Sequence, residues 1–157
     1  MASYSPYQTD FDVFASDDWR ISNYASSGGW IDTAWVPDNV LPSPGIVELR
    51  LDDRNAFDKE YSGAEIRSEE RYFYGRYEVT MQASPDDGTL SSFFVYSGAP
   101  LGTPTSEIDF EFLGNDSTKA LLTIHTPEGA DGEAVQPGAG AAGRIAFRRF
   151  AMGHDGS

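Results

Sequence analysis

The sequence predicts an all-β protein built as an antiparallel sandwich or barrel. Three observations lead to this class. Short segments alternate apolar and polar residues with a period of two, which is the pattern of a half-buried strand. Clusters of Gly, Pro, Asn and Asp separate these segments and are typical of turns. No stretch repeats apolar residues at helical spacing over three turns.

Six segments carry strand patterns. In chain order they are 30–36, 46–51, 75–83, 89–97, 107–113 and 120–126. The clearest alternation is in 75–83, where Tyr77, Val79 and Met81 share one face and Glu78 lies on the other. Turn formers between the segments predict reversals at 43–45, 84–88 and 114–116. The elements therefore follow one another as strand and turn, without a helix.

Composition narrows the function classes. The 157 residues include 21 aromatic side chains (3 Trp, 8 Tyr and 10 Phe), enough for a packed core. The 25 acidic residues against 11 basic ones give a net charge of -14, which repels phosphate backbones and anionic lipids. We therefore expect neither nucleic-acid nor membrane binding. The absence of Cys excludes disulfides, thiol catalysis and Cys-ligated zinc.

The chain divides by composition at residue 133. Residues 1–133 form an acidic, aromatic-rich body, whereas residues 134–157 are rich in Gly, Ala and Arg. We predict that 134–157 is a disordered or out-of-frame tail. The first residues show no basic region followed by an apolar run, so no secretory signal is predicted in this chain.

One strand concentrates the acidic chemistry. Glu107, Asp109 and Glu111 fall on one face of 107–113, opposite the apolar row Ile108, Phe110 and Phe112. Like charges on one face of a strand repel, so three in register require an explanation. One explanation is a solvated acidic face. The other is the carboxylate pair of a glycosidase, in which one group is nucleophile or base and the other donates a proton.

The spacing leaves the stereochemistry open. The Cα atoms of Glu107 and Glu111 are about 13 Å apart on a straight strand. Inward-leaning side chains on a concave strand would bring the carboxyls toward the roughly 5–5.5 Å of a retaining enzyme, and an inverting separation is also compatible. Asp109 between them would raise the pKa of the acid by like-charge repulsion. Aromatic residues at 93–96, Trp30 and Trp35 offer either sugar platforms or ordinary core.

The residues 107–114, EIDFEFLG, resemble a motif of glycoside hydrolase family 16, in particular its bacterial β-glucanase branch (lichenase, laminarinase and succinoglycan-glycanase-like enzymes). Several further motifs in the same order support the resemblance. They are GAEIRS at 63–68, YGRYEVTM at 74–81, SSFFVYSG at 91–98 and GND at 114–116, with looser similarity at 23–24 and 28–30. The resemblance covers about residues 19–133, and it implies that the C-terminal part of the family domain is missing.

The resemblance implies a concanavalin-like β-jelly-roll sandwich, incomplete at its C-terminus, and a retaining endo-β-glucan hydrolase acting on β-1,3 and/or β-1,3-1,4 bonds. It implies Glu107 as nucleophile, Asp109 as tuning residue and Glu111 as acid and then base. The single residue between Asp109 and Glu111 matches the lichenase-like form of the motif. The residues implied to contact substrate are Glu65, Arg67, Phe94, Tyr96 and His125.

Departures from the family bear on specificity. Thr105 and Ser106 stand where lichenase-like enzymes have Trp-Asp, and Thr123 and His125 stand where they often have Asn and Tyr. His125 is interpreted either as a contact to a sugar hydroxyl or as an ordinary strand residue. No cofactor is required for the chemistry. The family also has a structural Ca²⁺, to which Gly45 could offer a carbonyl, and the sequence leaves the metal unknown.

The resemblance also implies a partner and a location. The partner is a β-glucan polysaccharide, and the substrate class implies a secreted or periplasmic protein. Alternatives are a non-catalytic glycan-binding sandwich, an inactive fragment and a transglycosylase. Because strands that would complete both sheets are missing, we expect the chain to be poorly stable, to self-associate and to have weak or no hydrolase activity. The oligomeric state is left unknown.

Overall fold

The computed structural model describes residues 6–27, 31–72, 75–98, 104–127, 129–135 and 143–146. The chain divides into two compact units, Met1–Tyr72 and Phe73–Ser157. The described part is almost entirely β, interrupted by two short 3-10 helices, Pro37–Asn39 and Gly114–Asp116. None of the helices found there is long and apolar enough to cross a membrane.

The described residues of the first unit form seven short strands. They are β1 (Trp19–Ile21), β2 (Tyr24–Ala25), β3 (Thr33–Trp35), β4 (Val40–Ser43), β5 (Ile46–Leu49), β6 (Tyr61–Gly63) and β7 (Ile66–Ser68). β1 pairs with β7, β3 lies between β2 and β6, and β4 forms a hairpin with β5. The pairing of β3 with β6 is parallel, and the other pairs are antiparallel. Gly45, with φ of +82°, makes the tight hairpin turn that the sequence predicts there.

A buried amide joins separate parts of the first unit. Asn39 is fully buried and donates from Nδ2 to the carbonyl of Ser62 at 2.7 Å and to that of Arg50 at 3.2 Å. Its Oδ1 accepts from Nη2 of Arg54 at 3.1 Å. Because a buried polar group costs free energy unless it is hydrogen-bonded, these contacts fix the approach of the three segments to one another.

The part of the second unit that the structure describes forms six strands and carries the acidic motif. They are β8 (Glu78–Met81), β9 (Leu90–Ser97), β10 (Ser106–Leu113), β11 (Ala120–Thr126), β12 (Gly129–Val135) and β13 (Gly143–Ala146). Four of them form an antiparallel sheet in the order β12-β11-β10-β9, and β13 pairs with β8. β10 is therefore an inner strand with a neighbour on each side.

The predicted apolar row of β10 is buried. Ile108, Phe110 and Phe112 expose only 6%, 2% and 5% of their surfaces. Each buried side chain of this size contributes about 1.5–3 kcal/mol, so this face anchors the strand. The alternation of β10 then places the three carboxylates on the opposite face.

All six predicted segments contain strands, and four of these strands are shorter than predicted, β9 (Leu90–Ser97) by a single residue. The segment 30–36 contributes only β3, 46–51 contributes β5, and 75–83 contributes β8. The predicted turn at 114–116 is a 3-10 helix. Five strands of the first unit were not predicted, because strands of two to four residues show too little alternation. They are β1, β2, β4, β6 and β7. Trp30 lies outside the described residues.

The compositional boundary at 133 falls within β12, which continues to Val135. Four residues of the predicted tail, Gly143–Ala146, form β13 along β8. The remaining tail positions, 136–142 and 147–157, lie outside the described residues. The separate character of 134–157 stays a prediction.

Gly114 provides a test of how β10 ends. A Cβ at this position would overlap the Asp86 carbonyl, and the Gly114 N–H donates to the Thr89 carbonyl at 2.9 Å. Gly114→Ala must therefore displace the 86–89 turn, and we expect the free energy of unfolding to fall by about 1–3 kcal/mol. Denaturant titration measures this loss.

Gly88→Ala is the matched control. Gly88 has φ of +84°, and no neighbouring atom lies within 4 Å of the place that an alanine Cβ would occupy. Only the backbone conformation therefore opposes the alanine. We expect a loss of about 1 kcal/mol there. Equal losses in the two variants would show that contact with Asp86 does not hold Gly114 in place.

Candidate active site

The register of the four-stranded sheet gathers the predicted site on one face. Glu107 pairs with Tyr96 of β9 and with His125 of β11. Asp109 pairs in the same way with Phe94 and Thr123. Residues directly opposite each other in an antiparallel sheet project to the same face. The strand alternation therefore becomes a surface three strands wide.

This carboxylate face comprises nine positions on three strands. They are Ser92, Phe94 and Tyr96 on β9, Glu107, Asp109 and Glu111 on β10, and Leu121, Thr123 and His125 on β11. Six of the eight predicted site residues are among them. The structure thus brings together the predicted catalytic row, the two predicted cleft aromatics and His125.

Burial differs along the carboxylate row. Asp109 is 9% exposed, whereas Glu107 and Glu111 are half-buried. Asp109 lies in the middle of an inner strand, with Phe94 and Thr123 beside it. The central carboxyl is consequently the least hydrated of the three.

His125 lies opposite Glu107 in the register of the sheet, but its side chain contacts the central carboxyl, that of Asp109. Its Nε2 lies 3.2 Å from Oδ2 of Asp109. A diagonal neighbour on an antiparallel pair is within reach of a long or aromatic side chain. His125 is therefore the register partner of Glu107, while its imidazole contacts the carboxyl of Asp109.

Burial dominates the pKa values of two carboxyls. It raises the pKa of Asp109, against the opposing effects of the charge of His125 and of hydrogen bonds to Glu107 and His125. The pKa of Glu111 is raised by burial first and by the negative charge of Asp109 second, with His125 opposing. A hydrogen bond between the carboxyls of Asp109 and Glu107 requires a shared proton.

This arrangement suits proton transfer. A carboxyl with a raised pKa keeps its proton closer to neutral pH and can donate it to a leaving group. Glu111 is such a group, and Glu107 lies on the same face beyond Asp109. The face therefore provides a proton donor and a second carboxylate, which is the pair that glycoside hydrolysis uses.

Gly98 supports the position of Tyr96, although alternation alone gives it no role. A Cβ on Gly98 would lie 2.6 Å from the phenol oxygen and 2.9 Å from Cζ of Tyr96. Only a residue without a side chain lets the tyrosine ring take this place. Tyr96 is 36% exposed, so part of its ring is available to a ligand.

Glu65 and Arg67, the other two predicted site residues, belong to the first unit. Glu65 Oε1 accepts hydrogen bonds from the hydroxyls of Ser22 and Tyr24, the latter at 3.1 Å, and lies 3.3 Å from Nε of Arg67. The Arg67 guanidinium lies 5.5 Å from the centroid of the Tyr24 ring. Ser22 was not predicted, because a lone serine in a short strand region carries no sequence signal. The substrate contacts of Glu65 and Arg67 stay predictions.

The described residues contain no group of three or more His, Asp or Glu side chains placed to hold a metal ion. The Gly45 N–H donates to the Phe11 carbonyl at 3.1 Å, which ties the hairpin to the preceding segment. The structural Ca²⁺ and the role of the Gly45 carbonyl stay open.

Residues 27–144 match the model of the family described as glycosyl hydrolases family 16. A β-glucanase of Acetivibrio thermocellus is 39% identical over 124 residues, covering 79% of this chain and 37% of the relative. A xylanase/β-glucanase of Ruminococcus flavefaciens is 38% identical over 121 residues, covering 73% of this chain and 14% of the relative. The chain spans less than half the length of these curated relatives.

Solved structures agree with the fold. A β-1,3-1,4-glucanase (lichenase) from a mouse hindgut metagenome superposes with a TM-score of 0.76 at 34% identity, covering 82% of this chain and 61% of that one. The Bacillus licheniformis β-glucanase gives 0.75 at 31% identity, covering 87% and 64%. The predicted β-jelly-roll class is confirmed by these matches.

The raised pKa of Glu111 predicts a pH-dependent effect on stability. Its contribution is full below the ordinary pKa of a glutamate and is lost as pH rises through the raised value. Glu111→Gln removes the buried charge, so we expect its Tm at neutral pH to exceed that of the parent chain by about 2–5 °C. The difference should shrink as pH falls to about 4. Scanning calorimetry across pH measures it.

Glu69→Gln serves as the control. Glu69 forms an exposed ion pair with Arg20 at 3.0 Å, and such pairs contribute little to stability. It should show no stabilisation at neutral pH. If Glu111→Gln behaves like Glu69→Gln, burial does not perturb Glu111 in the way argued.

Proposed function

The chain belongs to glycosyl hydrolase family 16, and we propose that it is a retaining endo-β-glucan hydrolase, cleaving β-1,3 and/or β-1,3-1,4 glucosidic bonds. The observation that carries the proposal is the row Glu107, Asp109 and Glu111 on one face of an inner strand, with the pKa of Glu111 raised. A solvated acidic face would not bury its central carboxyl to 9% exposure.

The environments of the two glutamates support a different catalytic role for each of them. Glu111 has no hydrogen bond among the causes that shift its pKa, and burial together with Asp109 favours its protonated form. It therefore protonates the glycosidic oxygen as the bond to the leaving sugar breaks. Glu107 attacks the anomeric carbon from the opposite side as a carboxylate and forms the glycosyl-enzyme ester.

Hydrolysis of the ester completes the cycle. Glu111, now ionised, removes a proton from water, and the oxygen of that water attacks the anomeric carbon and releases Glu107. Asp109 is placed between the two glutamates and couples their charges through both steps. Two displacements on the same carbon give retention of configuration.

Neutral polysaccharide suits the surroundings of this row. Phe94 and Tyr96 flank Asp109 and Glu107, and aromatic faces stack against the apolar faces of sugar rings. A net charge of -14 opposes polyanionic ligands but not a neutral glucan. Relatives named as β-glucanases and a lichenase support glucan as the substrate class. Glu65 and Arg67, already joined by an ion pair, are proposed to bind sugar hydroxyls.

Loss of either glutamate should abolish hydrolysis. We expect Glu107→Gln and Glu111→Gln to lower kcat/KM on mixed-linkage β-glucan by several orders of magnitude, because each removes one half of the acid–nucleophile pair. A reducing-sugar assay measures the rate. Glu69→Gln, on an exposed ion pair, should retain activity. Comparable turnover in Glu107→Gln and the parent chain would contradict the assignment.

Azide distinguishes the two roles in the same assay. A Glu107→Ala variant should be rescued with formation of an α-glycosyl azide, because azide enters on the face vacated by the nucleophile. A Glu111→Ala variant should give the β-azide instead. A different outcome would identify a non-catalytic glycan-binding protein. In that case the parent chain binds glucan without cleaving it, and Glu111→Gln binds glucan equally well.

The pH dependence of kcat/KM should be bell-shaped, with its alkaline limb set by the proton donor. Because the charge of Asp109 raises the pKa of Glu111, Asp109→Asn should move the alkaline limb to lower pH. The acid limb belongs to the coupled cluster and not to one group. If the alkaline limb does not move in Asp109→Asn, the charge of Asp109 does not raise the pKa of the proton donor.

A further inference from the structure

Among the described residues, two side chains form hydrogen bonds with the central carboxyl. Asp109 is 9% exposed, and these two side chains are Glu107 and His125. A carboxylate this poorly hydrated needs donors if it is to remain ionised. Which of the two groups supplies the proton decides the state of the nucleophile.

The two donors have opposite consequences for catalysis. Glu107 can donate to Asp109 only while it is protonated, and a protonated Glu107 cannot attack as a carboxylate. The imidazole of His125 has a nitrogen, Nε2, 3.2 Å from Asp109 Oδ2. An N–H there donates in the charged form and in one neutral tautomer, and it leaves Glu107 ionised.

We propose that His125 is a positioning residue of this site, acting through Asp109: it holds the central carboxylate and so allows Glu107 to stay ionised, as its role of nucleophile requires. The inference rests on the proposed function and extends it. It differs from the predicted sugar contact of His125, because the imidazole acts on the carboxyl row and not on the ligand. It also explains why a histidine is compatible with this position of β11.

Two neighbouring strands and β10 itself surround the pair on the carboxylate face. β9 supplies Tyr96, and β10 supplies Glu107 and Glu111. On β12, the positions opposite His125 and Thr123 are Ala130 and Gly132.

The imidazolium would act on both neighbouring acids. Its charge lowers the pKa of Asp109 and of Glu111, while its hydrogen bond acts on Asp109 alone.

Two substitutions separate the hydrogen bond from the charge. His125→Gln keeps an amide donor without a charge, and His125→Phe removes both. Ile124→Val, on the opposite face of the same strand, is the control. The readout is the titration of the Asp109 and Glu111 carboxyl carbons by NMR in the full chain. It does not depend on activity.

In His125→Phe we expect both carboxyl midpoints to move to higher pH, by roughly 0.5 unit or more. In His125→Gln the Glu111 midpoint should move as far, whereas that of Asp109 should move less. Ile124→Val should move neither. Unchanged midpoints in both His125 variants would overturn the inference, and the folded state of each is checked by its melting curve.

Kinetics on β-glucan separate positioning from sugar binding. A positioning role lowers kcat in His125→Phe with little change in KM, and His125→Gln recovers part of the loss. A raised KM with unchanged kcat would show a sugar contact and overturn the inference. If the carboxyl midpoints move but the parent chain does not cleave glucan, His125 still holds the Asp109 carboxylate, and it is the proposed function that fails.

Discussion

The structure depends on one strand that has opposite chemistry on its two faces. The apolar row of β10, centred on Phe110, is almost completely buried, and the same alternation forces three carboxyls onto the other face. Like charges in a row destabilise a strand, so the burial of Ile108, Phe110 and Phe112 must outweigh their repulsion. The acidic face of this sheet can therefore persist only because burial of the apolar face stabilises the same strand.

The neighbouring strands convert that row into a site. Pairing with β9 places Phe94 and Tyr96 beside the acids, and pairing with β11 places His125 there. A slip of one residue in either pairing would send these side chains to the opposite face. The turns that set register therefore matter as much as the residues on the face. Gly114, packed under the Asp86 carbonyl, is one of these constraints.

The sequence was sufficient for the parts of the fold that rest on strong alternation. The strand segments that become β9, β10 and β11, and the two faces of β10, follow from strand-type residue patterns and from the turn at 114–116. Such reasoning does not extend to the short strands of the first unit or to the hydrogen bonds of Glu65. These depend on partners distant in sequence, such as Ser22, and a propensity pattern carries no information about pairing.

The contact between His125 and Asp109 shows what the sequence pattern cannot predict within the site itself. Alternation places both residues on strands, but only the register reveals that the imidazole opposite Glu107 reaches diagonally to Asp109. The protonation of the row then follows from position more than from residue type. Asp109 is central and least hydrated, so it needs a donor. Glu111 lies beyond it, and burial together with the negative charge of Asp109 raises its pKa. Three similar carboxyl groups thereby acquire different chemistry from where they lie on one strand.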